Sequence, residues 1–316
     1  MIHLARLADR GPLTAALLAA ALLLAALWIP VVLISGGSAG LVLVASFLSM
    51  FFLVTSAAVV AFVALRHGEM ATLQVIGGCL LLLIVVSAVL YGSVVHVPLI
   101  ATIFWLPAIV SSMVLARSVK LDYAVLAVVV CGVIAVTGMT LIIGDSAEFW
   151  RSQFTNSGAV QIQSEGAGAV ALNEEQREAF IEAMARMMTG AMGVSVMSVA
   201  LCALFLARFW QAGLFNQGGF QQEFHALSLG KSVALVCVLV LVLAIAQGGQ
   251  LAGAIAMVVI FALFIQGLAV AHSLVKQRGM SRYWLHGIYV LLLLPHTLLL
   301  LAALGLADNM FSLRRA

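Results

Sequence analysis

Few side chains in this sequence can do acid–base or ligand chemistry. His296 follows Pro295 near the middle of an apolar run. An ionisable group at membrane depth is a functional candidate by default. The same imidazole could instead stay neutral and bond a carbonyl freed by Pro295, that of Leu291. Tyr91 and His96, beside Pro98, lie near the external ends of two apolar runs, with Trp105 and Pro107 further along the second. They could line a small ligand pocket, or serve as interfacial anchors like Trp28, Trp210 and Trp284. Two familiar motifs fail on context. Gly36-Gly37-Ser38-Ala39-Gly40 fits G-x-S-x-G, but a nucleophile elbow needs a strand before its serine, and apolar helical runs flank this one. Gly230-Lys231-Ser232 resembles the end of a phosphate-binding loop, yet His225 stands where the first glycine is required. The four cysteines, Cys79, Cys131, Cys202 and Cys237, lie inside apolar runs without a CxxC and read as small buried hydrophobes. No metal, cofactor or catalytic constellation is expected. Chemistry at His296 lacks an identifiable second group.

The elements that hold these residues are membrane helices. The chain is 64% hydrophobic and 9% charged, against about 25% charged in a soluble domain. No Asp, Glu, Lys or Arg occurs between Gly11 and Leu65, from Met70 to Ala116, or from Ser232 to Ala271. Apolar runs of about 18 residues already read as spans. The expected fold is therefore all-α and polytopic, a single transmembrane domain over 1–316 with eight or nine helices. Candidate spans run 13–34, 40–65, 71–92, 97–116, 121–143, 188–212, 232–247, 251–275 and 283–306. The net charge of +3 and the lack of a basic cluster exclude nucleic acid as a partner. The lipid bilayer is the first expected partner.

Lys and Arg are retained on the cytoplasmic side. Arg6 and Arg10, Arg66, Arg117 with Lys120, the 208–231 stretch, and Lys276, Arg278 and Arg282 fall on one side of the alternation. That places the N-terminus in the cytoplasm, in a multi-pass protein of the bacterial inner membrane. Nine spans would put Arg314 and Arg315 outside, so the last segment, broken at Pro295, is the best suspect for not crossing. The segment 144–187 holds seven of the twelve acidic residues and is expected outside the cytoplasm. Its middle reads as loop. Asn173 then caps a helix with Gln176 at the third position. Ala179, Phe180, Ala183, Met184, Met187 and Met188 form its apolar stripe, an amphipathic lead into the sixth span.

Two features suggest protein contacts. Ala15, Ala16, Ala19 and Ala20 make small-xxx-small pairs, which permit close packing within the chain or against another membrane subunit. In the cytoplasmic loop 213–231, Phe220, Glu223, Phe224 and His225 project together if a helical turn forms after Gly219, and could contact a cytoplasmic protein.

This loop, "GGFQQEFHALSLGK", and the ending "LGLADNMFSLRR" resemble the YybS-like predicted membrane proteins of the bacterial inner membrane. The resemblance covers most of the chain. It is similar, more remotely, to the fold group of energy-coupling-factor substrate-binding components and the cell-shape protein MreD. In that group such alanine faces dock onto a transmembrane partner, which the resemblance implies for Ala15, Ala16, Ala19 and Ala20. The family carries no established catalytic residues. The expected function is a ligand-binding or transport-related membrane subunit without its own ATPase. The alternative is a scaffold for envelope biogenesis or membrane quality control.

Overall fold

A computed structural model describes residues 2–34, 39–157, 173–281 and 283–314; the side chains of Ile34, Ala39, Tyr91 and Pro295 also lie outside the description. The turn at 35–38 and the Gly/Ser-rich loop at 158–172 are therefore outside the described residues. Twelve helices and no strand form among those described: α1 Ile2–Ala8, α2 Pro12–Ile34, α3 Ala39–Tyr91, α4 His96–Ser118, α5 Leu121–Ile143, α6 Ser146–Ser157, α7 Glu174–Phe215, α8 Gly219–Ala226, α9 Lys231–Gln247, α10 Gln250–Gln277, α11 Tyr283–Leu291 and α12 Pro295–Phe311. Eight of the nine apolar runs fall on helix, and the ninth, 283–306, is divided by a turn at Leu292–Leu294. Six helices are long and apolar enough to cross a membrane, and the pairs α8/α9 and α11/α12 raise the number to eight if each is one broken span.

The 53 residues of α3 would span ~80 Å as one helix, far beyond a ~30 Å hydrocarbon layer. The helix is broken at Gly68, whose φ of 78° and ψ of −166° suit a residue without Cβ. Arg66, His67 and Glu69 flank the break, so its two arms match the separate runs 40–65 and 71–92. α11 and α12 are bent by 119°. Their 9 and 17 residues reach only ~14 and ~26 Å, so neither arm crosses alone.

The chain divides into two compact units, Met1–Val128 with Val196–Leu227, and Val129–Ser195 with Ser228–Ala316. In the first, α2 packs on α3 through Ala15, Ala16, Ala19 and Ala20, all buried. The Ser56 hydroxyl donates to the Ala19 carbonyl at 2.7 Å, and the Cys79 thiol to the Ala16 carbonyl at 3.2 Å. Small side chains let the backbones approach closely enough for these bonds. Charges collect at one end. Asp9 pairs with Arg66 at 3.8 Å and His67 at 2.9 Å, Arg117 pairs with Glu69, and Arg66 lies 4.2 Å from the centre of the Phe215 ring. Trp210, expected as an interfacial anchor, is instead buried edge-on to Phe62 at 6.3 Å, while Trp28 and Trp284 are exposed.

In the second unit, the predicted capping box is present. The Gln176 amide donates to Asn173 Oδ1 at 2.7 Å, and the Asn173 amide to Gln176 Oε1 at 3.1 Å. Of the apolar stripe of this lead-in, Phe180, Met184 and Met187 are exposed, and the buried edge is Ile181, Ala185 and Thr189. That edge meets α6, a helix the sequence analysis does not place. Its Trp150 Nε1–H donates to Thr189 Oγ1 at 3.1 Å and fixes which edge of α7 is covered. The signal for α6 was present: Asp145 Oδ1 caps the amides of Ala147 and Glu148, both at 3.1 Å.

α10 and α12 cross at Gly267 and Gly305. A Cβ on Gly267 would lie 1.8 Å from the Leu301 carbonyl oxygen, and one on Gly305 2.1 Å from that of Leu263. Gly267→Ala therefore cannot be absorbed by a rotamer change and is expected to cost at least ~1–3 kcal/mol. Gly253→Ala, with open space around it, should stay within about 0.5 kcal/mol of the parent. Melting of both variants in detergent, followed by tryptophan fluorescence, checks this. Indistinguishable melting would contradict the crossing.

Candidate functional site

The glycine crossing sets Gln266 beside Asp308. Gln266 is fully buried, and Asp308 is the one charged residue in the buried class among those described. Gln266 Nε2 donates to Asp308 Oδ2 at 2.9 Å, while its Oε1 accepts the Leu229 amide at 3.3 Å. Arg314 grips the same carboxylate with two nitrogens, Nε to Oδ1 at 3.2 Å and Nη2 to Oδ2 at 2.7 Å. A two-point guanidinium grip neutralises the charge and fixes the carboxylate plane. Asn309, one residue on, accepts the Gly230 amide at 3.1 Å and the Ser228 hydroxyl at 3.4 Å on Oδ1. Its Nδ2 is buried without a partner.

These side chains hold the Leu229 and Gly230 amides and the Ser228 hydroxyl, part of the non-helical stretch between α8 and α9. Backbone amides buried outside a helix need such partners. The site is not at the end of α10. Gln266 lies ~24 Å along the helix from Gln250, with ~17 Å still to run to Gln277. The buried carboxylate, the guanidinium and the two amides bond one another and the turn that leads into α9.

The sequence-expected sites are distributed differently. His296 is exposed in the first turn of α12 and bonds no carbonyl of Leu291. That carbonyl accepts the Leu294 amide at 2.9 Å, because the chain turns at Leu292–Leu294 and leaves Pro295 as the first helical residue. His96 is exposed at the start of α4 and Trp105 is buried. Nine residues apart on one helix, they sit ~14 Å apart along the axis on opposite faces, which forms no common pocket. The Tyr91 side chain lies outside the described residues. Ser87 instead organises that end: its hydroxyl donates to the Ser93 carbonyl and accepts the Val97 amide.

The alanine face is filled within the chain by α3. α8 does form after Gly218, as the sequence suggested, but its side chains turn inward. Phe220 and Phe224 stack on Phe205 at 5.8 and 5.5 Å, and Glu223 is gripped by Arg208 at both oxygens. His225 is half-buried beside them. Gly230-Lys231-Ser232 opens α9 with no strand before it. Of the G-x-S-x-G match, Gly36, Gly37 and Ser38 lie outside the described residues.

The residues that sequence reasoning missed are Gln266, Asp308, Asn309 and Arg314. Gln266 was legible as the one amide inside the uncharged 251–275 run. Asp308 lies two residues past the apolar run 283–306, so hydropathy alone does not place it on a helix. The two segments singled out as distinctive, 215–231 and 304–315, supply the loop and the carboxylate of this one site.

A family model described as "Predicted membrane protein (DUF2232)" matches residues 31–309. The chain belongs to this DUF2232 family. No curated protein and no solved structure matches it. The DUF2232 match spans Gln266, Asp308 and Asn309 and stops short of Arg314. In this DUF2232 chain, Arg314→Gln would strand a buried carboxylate, and the expected loss is ~3–5 kcal/mol. Adding Asp308→Asn should recover part of it, because the uncompensated charge is gone. A double-mutant cycle by thermal melting checks this. Additive losses would contradict the pairing.

Proposed function

We propose that this DUF2232 protein is a multi-pass subunit of the bacterial inner membrane, of YybS-like type, that binds a ligand or serves transport and holds no ATPase of its own. What carries the reading is the buried Gln266–Asp308–Arg314 group beside the non-helical Ser228–Gly230 backbone. Buried ionisable groups within spans mark substrate or ion pathways. Discontinuous helices with side chains gathered at the break are how many carriers build their sites. The pair α11/α12 supplies a second break, and its longer arm carries Asp308. The charged end of the first unit groups Arg66 with Arg117, which agrees with one cytoplasmic side holding the N-terminus. Energy, where needed, would come from a partner.

A scaffold role is the second reading. It is favoured by Gln221 and Gln222, exposed on α8 while the aromatic face of that helix is anchored. We propose no catalytic role for His296.

Native mass spectrometry after mild-detergent purification separates these readings. A defined small mass on the parent protein, lost in Asp308→Asn, is the expected result. A stoichiometric protein partner kept by Asp308→Asn but lost in the Gln221→Ala/Gln222→Ala double variant would overturn it in favour of the scaffold.

A further inference from the structure

We propose that the start of α9 is a phosphate-binding site, filled by the headgroup of an anionic phospholipid whose chains lie along the exposed face of the same helix. The inference goes beyond the transport reading, since a scaffold could hold such a lipid equally well.

Three observations carry it. First, α9 begins without a cap. Its N-cap is Gly230, no side chain bonds the free amides of the first turn, and no acidic residue lies there. An uncapped helix start presents N–H groups and partial positive charge to an anion. Lys231 occupies the first helical position, is exposed, and forms no ion pair among the described residues.

Second, Asn309 is only 5% exposed and its Nδ2 has no acceptor. Its own Oδ1 holds the Gly230 N–H at 3.1 Å, so the amide that carries the free N–H₂ sits beside this helix start. A lone buried donor calls for an oxygen, not for a cation. The nearest carboxylate, Asp308, is neutralised by Arg314 and does not oppose an anion.

Third, the surface below Lys231 is apolar and uncovered. Leu235, Val238, Leu239 and Val242 are exposed. At offsets of four, seven, eight and eleven residues they lie on the Lys231 face of the helix. Basic groups at the cytoplasmic ends of spans bind anionic headgroups. The Gly230-Lys231-Ser232 triplet thus acts as a single-phosphate seat, without the remaining glycine that a nucleotide would require.

The test uses delipidated protein in dodecyl maltoside. Native mass spectrometry follows added phosphatidylglycerol, and a thermal-shift series compares inorganic phosphate with chloride at equal ionic strength. Lys231→Pro removes the charge and one first-turn amide while suiting the first helical position. Lys231→Gln removes the charge and leaves the backbone intact. The expected result is one retained phosphatidylglycerol, bound about tenfold more weakly by Lys231→Pro. Lys231→Gln should fall between, and Lys276→Gln, an exposed lysine in the last turn of α10, should match the parent. Stabilisation by inorganic phosphate alone, lost in Lys231→Pro, would support the phosphate seat and overturn the lipid as its source. Equal binding by parent and Lys231→Pro, or an equal loss in Lys276→Gln, would overturn the site itself.

Discussion

The close backbone crossing of α10 and α12 at Gly267 and Gly305 is the contact on which the second unit depends. Between apolar helices in lipid no hydrophobic force selects one partner, so packing and interhelical hydrogen bonds decide. Removing two Cβ atoms brings the helices close enough for Gln266 to reach Asp308. Once that bond exists, Arg314 has a buried carboxylate to pair with, and Gln266 and Asn309 can hold the Leu229 and Gly230 amides. The non-helical stretch between α8 and α9 is thus held from two directions. The polar chemistry of the unit follows from a contact between residues that have no side chains.

The first unit solves the same problem with alanine. Buried Ala15, Ala16, Ala19 and Ala20 let hydroxyl and thiol groups of α3 bond carbonyls of α2. Its charges gather at one end, where Asp9 pairs with Arg66 and bonds His67, and Glu69 pairs with Arg117. Charged groups kept out of the apolar interior and collected at a boundary are what a membrane protein requires. The break at Gly68 belongs to that end, because it reverses the chain beside the very charges that cannot enter the bilayer.

Much of the fold was legible in the sequence. The nine apolar runs, the capping box at Asn173 and Gln176, and the helical turn before Ala226 follow from composition and local spacing, which act within a few residues. The site was legible only in fragments. Gln266 is uncharged, so a search for charges in spans passes over it. Asp308 gains its importance from Gly305 and Gly267, far apart in sequence, and small residues announce close approach without naming the partner. The same ambiguity governs the alanines, whose partner is α3. His296 looked central because Pro295 was read as a kink inside one helix. The chain instead turns before the proline, which leaves the imidazole exposed at a helix start. In α7 the amphipathic stripe was legible, but the buried edge at Ile181, Ala185 and Thr189 was not, since it is set by α6.

The central claim is that the Ser228–Gly230 backbone is held against α12. The direct measurement is disulfide trapping in native membranes, in a variant whose own four cysteines are replaced. Cysteines at 228 and 309 stand where the Ser228 hydroxyl meets Asn309 at 3.4 Å. They are expected to cross-link on mild oxidation, because the two side chains meet there. Cysteines at 228 and 301, ~12 Å further along α12, are expected not to. A cross-link in the second pair but not in the first would contradict the account.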